Sequence, residues 1–183
     1  MNDFLDQELT HSKPVIELLT VANEYCLFFE DTEKFELSDI LIYFQRIAPL
    51  LYLKGSLLPE ITMNDEVFTG RFVTEEQWED VFKTLRLKFG PDDQYFVHDQ
   101  NYDTQEASLA DNLADIYQDM KDFVLLFQKG DTISMQNALA QIKALFVEHW
   151  GPTLINALGA VHRKVYRNQI DPDLFKEQAD EWY

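Results

Sequence analysis

The segment Leu109–Phe127, LADNLADIYQDMKDFVLLF, constrains the fold more than any other part of the chain. At roughly 100° per residue, Leu109, Leu113, Ile116, Met120, Phe123, Val124 and Phe127 fall in one sector of a helical wheel. Asp111, Asp115 and Asp122 fall opposite, and Asn112 and Asp119 lie at the border. The pattern predicts a long amphipathic helix with its stripe in a core and its aspartate row facing water. A single helix cannot bury its own stripe, so further helices must cover it.

The rest of the chain supplies them. Pro14–Phe29 carries a wide apolar surface, with Ser12 as the expected N-cap. Ser38–Lys54 reads as a second helix, kinked or split at Pro49 and stopped by Gly55. Thr74 and Gln77 match a capping box, opening a third helix that ends at Gly90-Pro91. Thr104 is expected to cap the long fourth helix. The fifth runs from Asp131 or Thr132 to Trp150-Gly151, the sixth from Pro152 to about Arg167, and a short seventh spans Asp173–Trp182. No β-hairpin is predicted, although FTGRFV around Gly70 could form a short strand or turn. The expected fold is all-α: one domain over residues 1–183, a bundle of six to seven helices with its core in about 14–167. The first, fourth and fifth helices should be the most buried.

Composition narrows the function. Fifteen basic and 33 acidic residues give a formal charge of −18. Such a surface repels phosphate backbones and anionic lipids, so nucleic acid and membrane are not expected partners. The single cysteine, Cys26, excludes an intrachain disulfide and a multi-cysteine zinc site, and it falls on the apolar side of the first helix. No apolar run is long enough for a membrane span, and the first residues lack a signal-peptide pattern. A cytoplasmic protein without cofactor is expected.

Four groups of residues could carry chemistry. Asp111, Asp115 and Asp119 stand one turn apart on the fourth helix, a spacing that can hold Mg²⁺ or Mn²⁺ between helices. The predicted water-facing position of Asp111 and Asp115, shared with Asp122, argues against a metal. Glu75-Glu76-x-x-Glu79 resembles half of the carboxylate motif of all-helical MazG-type pyrophosphohydrolases, but its second half is missing and a helix start attracts acidic residues unaided. His149 faces the core of the fifth helix and needs a polar partner, with Asp119, Asn112 and Asn23 available. His162 flanks the stripe of the sixth helix. Its neighbours Arg163, Lys164 and Arg167 make the densest basic cluster, which a helix C-terminus favours by itself.

VANEYC, PLLYLKGSLLP, LADNLADIYQDMKD and HWGPTLINALGAVH together resemble a bacterial family of unknown function. The resemblance runs from Val15 to His162 and implies a small, acidic, all-helical cytoplasmic protein. It supplies no catalytic residues. The family's usual aspartate pair before Asp-Ile-Tyr stands here as Asp111-Asn112, with an amide in place of one carboxylate.

These observations favour a non-catalytic module that binds a protein or small ligand. Its expected recognition surface joins the irregular segments Ser56–Val73 and Asp92–Asp103, which display Tyr95 and Tyr102. Trp150 and His162 are further binding candidates. The competing expectation is a divalent-metal-dependent hydrolase of a phosphorylated small molecule, using Asp111, Asp115, Asp119 and His149.

Overall fold

A computed structural model describes residues 8–63, 70–98 and 102–168. Six helices are named in chain order: α1 (Lys13–Glu30), α2 (Leu37–Ser56), α3 (Glu75–Phe89), α4 (Leu109–Phe127), α5 (Thr132–Leu145) and α6 (Gly151–Arg163). The architecture is the expected all-α bundle, with one addition. Strands β1 (Gln94–His98) and β2 (Thr104–Ser108) pair antiparallel, from Gln94 opposite Ser108 to His98 opposite Thr104. The expected seventh helix, Asp173–Trp182, lies outside the described residues.

α4 is the axis of the bundle and packs on α1, α3, α5 and α6. Its apolar stripe is buried as expected. The core joins this stripe to Val15, Leu18, Ala22, Tyr25, Cys26 and Phe29 of α1, and to Ile40, Leu41, Phe44 and Leu51 of α2. The Tyr25 hydroxyl crosses that interface and donates to the Leu113 carbonyl at 3.1 Å. Burying a polar oxygen this deeply requires such a partner.

Local chemistry explains most boundaries. Thr74 and Gln77 close a reciprocal capping box at the start of α3, and Asp131 caps α5 through the Ser134 amide. Ser12 precedes α1, but its side chain makes no cap bond. Glu36 and Asp39 form the capping box of α2, which begins at Leu37, one position before the expected Ser38. α2 runs through Pro49 as one helix and includes Gly55, which does not stop it.

The hairpin replaces the expected early start of α4. Ser108, not Thr104, is the N-cap, and its hydroxyl accepts from the Asp111 amide. Fully buried Asp93 fixes the join: its Oδ1 accepts from the Ala110 amide at 2.7 Å, and its carbonyl accepts from Leu109. Arg86 of α3 donates to its Oδ2. A carboxylate so placed ties hairpin, α3 and α4 together at one point.

A buried carboxylate cluster on helix α4

The aspartate row does not face water. The side chains of Asp119 and Asp122 are enclosed, and Asp115 is half-buried; Asp111 alone of the four is exposed. The wheel located the carboxylates correctly on the helix but missed what covers them. That cover is the segment Gly70–Trp78, with the turn that carries His149.

Asp122 accepts the backbone N–H groups of Phe72 and Val73 on one oxygen, both at 2.8 Å. Its other oxygen accepts from Arg71 Nη1 at 3.1 Å. The same nitrogen donates to Asp119 Oδ1, and His149 Nδ1 donates to Asp119 Oδ2 at 2.6 Å. One turn away, Trp78 Nε1 donates to Asp115 Oδ1 at 3.0 Å. Asp115 Oδ2 lies 3.9 Å from His149 Nε2. Asp119 and Asp122 thus have both oxygens engaged by the protein itself.

His149 reaches this cluster through a break in helix geometry. α5 ends at Leu145, and Phe146–Trp150 forms one π-helical turn before α6. The wider turn aims His149 at Asp119 and puts the next residue, Trp150, into the core, where its Nε1 donates to the Ile142 carbonyl. Gly151 is required there: a Cβ on it would lie 2.2 Å from the Phe146 carbonyl oxygen. Pro152 follows and lacks the N–H that a regular α-helix would use at that position. His149 is half-buried rather than core-facing, and its partner is Asp119, one of the three anticipated.

The electrostatics follow from the contacts. The hydrogen bond to Asp119 raises the His149 pKa against the opposing effect of burial, and the charges of Asp119 and Asp115 add to it. Burial raises the Asp115 pKa, with repulsion from Asp111 next, while the Trp78 bond lowers it. Arg71 pays for partial burial, but Asp119 and Asp122 more than offset that and raise its pKa.

Of the expected site residues, only Asp115, Asp119 and His149 come together. Asp111 sits beside them on the first turn of α4, where burial followed by the Asp93 charge raises its pKa. Trp150 is core. Tyr95 is buried on β1, accepts from Asn112 Nδ2, and has its pKa pushed up to about 12 chiefly by burial. Tyr102 is exposed, with a φ of 65°, and His162 is exposed on α6. Three central residues were not among the expected site residues: Asp122, Arg71 and Trp78. The signal for Arg71 was present: a row of aspartates on the helix, and a single cation, next to Gly70, in the whole of the segment 56–73.

The profile of a family described as a domain of unknown function, DUF5063, matches residues 10–167. The chain belongs to that family. The crystal structure of protein BF1032 from Bacteroides fragilis is similar to this DUF5063 chain, with a TM-score of 0.80 and 34% identity. The match covers 89% of this chain and 99% of that one. No curated protein matches. Among the described residues of the DUF5063 chain, no helix is long and apolar enough to cross a membrane.

Proposed function

We propose that this protein is a non-catalytic binding module of the cytoplasm, with a protein or a small ligand as its partner. The observation that carries this reading is the commitment of the α4 carboxylates. Arg71, His149 and two backbone amides occupy the oxygens of Asp119 and Asp122 that a divalent ion would need. Their work is architectural: they hold the segment leading into α3 against α4. Among the described residues, no three carboxylate, imidazole or thiol groups are arranged to hold a metal ion. Apolar side chains meanwhile stand at the surface, including Leu50 and Leu53 of α2, Leu57 and Met63 after it, and Phe96 and Tyr102 of the hairpin region.

The metal-dependent hydrolase is the reading to test against. Mg²⁺, Mn²⁺ and Zn²⁺ are titrated into the protein to millimolar concentration while the unfolding midpoint is followed. Phosphate release from a panel of phosphomonoesters and nucleotides is measured in parallel. The binding-module reading expects an unchanged midpoint and no turnover. A midpoint that rises with metal, lost in Asp115→Asn, together with phosphate release, would overturn it.

A further inference from the structure

A groove of about 630 Å³ runs between α2 and α6. Gln45 and Pro49 line it from α2; Ile155, Leu158, His162 and Arg163 line it from α6. In a chain with 33 acidic residues, its lining contains no carboxylate and carries Arg163 and His162 instead. Ile155 is 51% exposed in it. The apolar surface continues past both ends. Leu53, one turn beyond Pro49, is half-exposed, and exposed Tyr166 packs on the His162 ring with centroids 4.8 Å apart. Pro49 has no N–H to give, so the Gln45 carbonyl lacks its ordinary helical donor beside the groove.

We propose that this groove docks an acidic amphipathic helix of a partner protein; the proposal rests on the binding-module reading above. Two helices with an apolar furrow between them offer the seat that a third helix fills by ridges into grooves. From Ile155 to Arg163 the furrow is about 12 Å long at ~1.5 Å per residue, and Leu53 and Tyr166 extend it to the length of a two- to three-turn helix. Charge selects the occupant. A cationic, carboxylate-free furrow attracts a helix with acidic flanks, while the net charge of −18 repels a second copy of the whole chain.

The test uses the whole 183-residue chain and a fluorescently labelled peptide, DPDLFKEQADEWY. It copies residues 171–183 and combines five acidic residues with Leu, Phe and Trp. The expected result is saturable binding, weakened about tenfold or more by Ile155→Asp and by Arg163→Glu, two exposed positions whose variants keep the parent melting curve. A peptide with every Asp and Glu changed to its amide should bind at least about tenfold more weakly. Equal binding of the amide peptide overturns the charge argument. Absence of binding to both the parent chain and a Leu174→Asp, Phe175→Asp chain overturns the groove as an acidic-helix site. Binding to that double variant alone shows the chain's own residues competing in cis, which overturns a partner in trans. None of these readouts involves metal or turnover, so they separate from a failure of the binding-module reading.

Discussion

A Cβ atom on Gly55 would lie 2.3 Å from Cη2 of Trp150. Phe146 closes the same space from the other side, with its ring carbon Cδ2 at 2.7 Å. The contact joins the last turn of α2 to the π-helical turn that delivers His149 to Asp119. Gly55 is therefore a seat for an indole, although its place after Lys54 reads in sequence as a helix stop.

Gly55→Ala tests this seat because two effects oppose each other. In a helix interior, alanine is favoured over glycine by about 0.5–1 kcal/mol. Overpacking a closed core typically costs about 1–3 kcal/mol, and Trp150 is fully buried. Urea denaturation should show net destabilisation of about 1–2 kcal/mol. A stabilised variant would mean the indole moves aside easily.

The bundle was legible in the sequence wherever one helix face met one core. The stripe of α4, the Thr74–Gln77 box and the Asp131 cap depend on residues close in the chain. Periodicity records such relations directly. The hairpin was hidden because its ladder pairs residues up to 14 positions apart, and because buried Asp93 looks like any other aspartate in sequence. The carboxylate cluster was half legible. The sequence offered Asp119, Asn112 and Asn23 as partners for His149 without choosing among them, and no helical period reports a loop that folds over a polar face. Arg71 lies 48 residues from Asp119. Only the closed structure makes that pair.

Asp122 should be the most costly member of the cluster to lose. Asp122→Ala leaves the Phe72 and Val73 amides without their acceptor and removes one of the two carboxylates on Arg71. Unsatisfied buried donors cost about 1–3 kcal/mol, and breaking a buried charge pair about 3–5 kcal/mol. Because Arg71 is partly exposed, the expected loss is about 2–4 kcal/mol, measured by chemical denaturation. Asp122→Asn retains one acceptor oxygen and should lose about half as much. The loss should also expose Arg71 to trypsin while α4 remains folded, since the segment it holds is a local unit. Cleavage there no faster than in the parent would mean that packing of Phe72 and Val73, not the carboxylate, holds the segment.

The Asp119–His149 bond makes stability depend on pH, and the sign follows from the direction of the shift. The folded-state pKa of His149 is raised, first by this hydrogen bond and then by the charges of Asp119 and Asp115. In the unfolded chain the ring titrates near ~6.5. Folding therefore favours the protonated ring. Its stabilising contribution is complete below about pH 6.5 and fades as pH rises through the folded-state value. His149→Gln removes that titration and leaves an amide able to donate to Asp119. Unfolding free energies of the parent and variant should differ most between about pH 5.5 and 6.5, then converge toward alkaline pH. Direct titration of the ring by NMR should give a midpoint above that of a free histidine. A parent–variant difference that grows as pH rises, or a ring that titrates below the free value, would mean that burial outweighs Asp119. The imidazole would then sit neutral in the cluster.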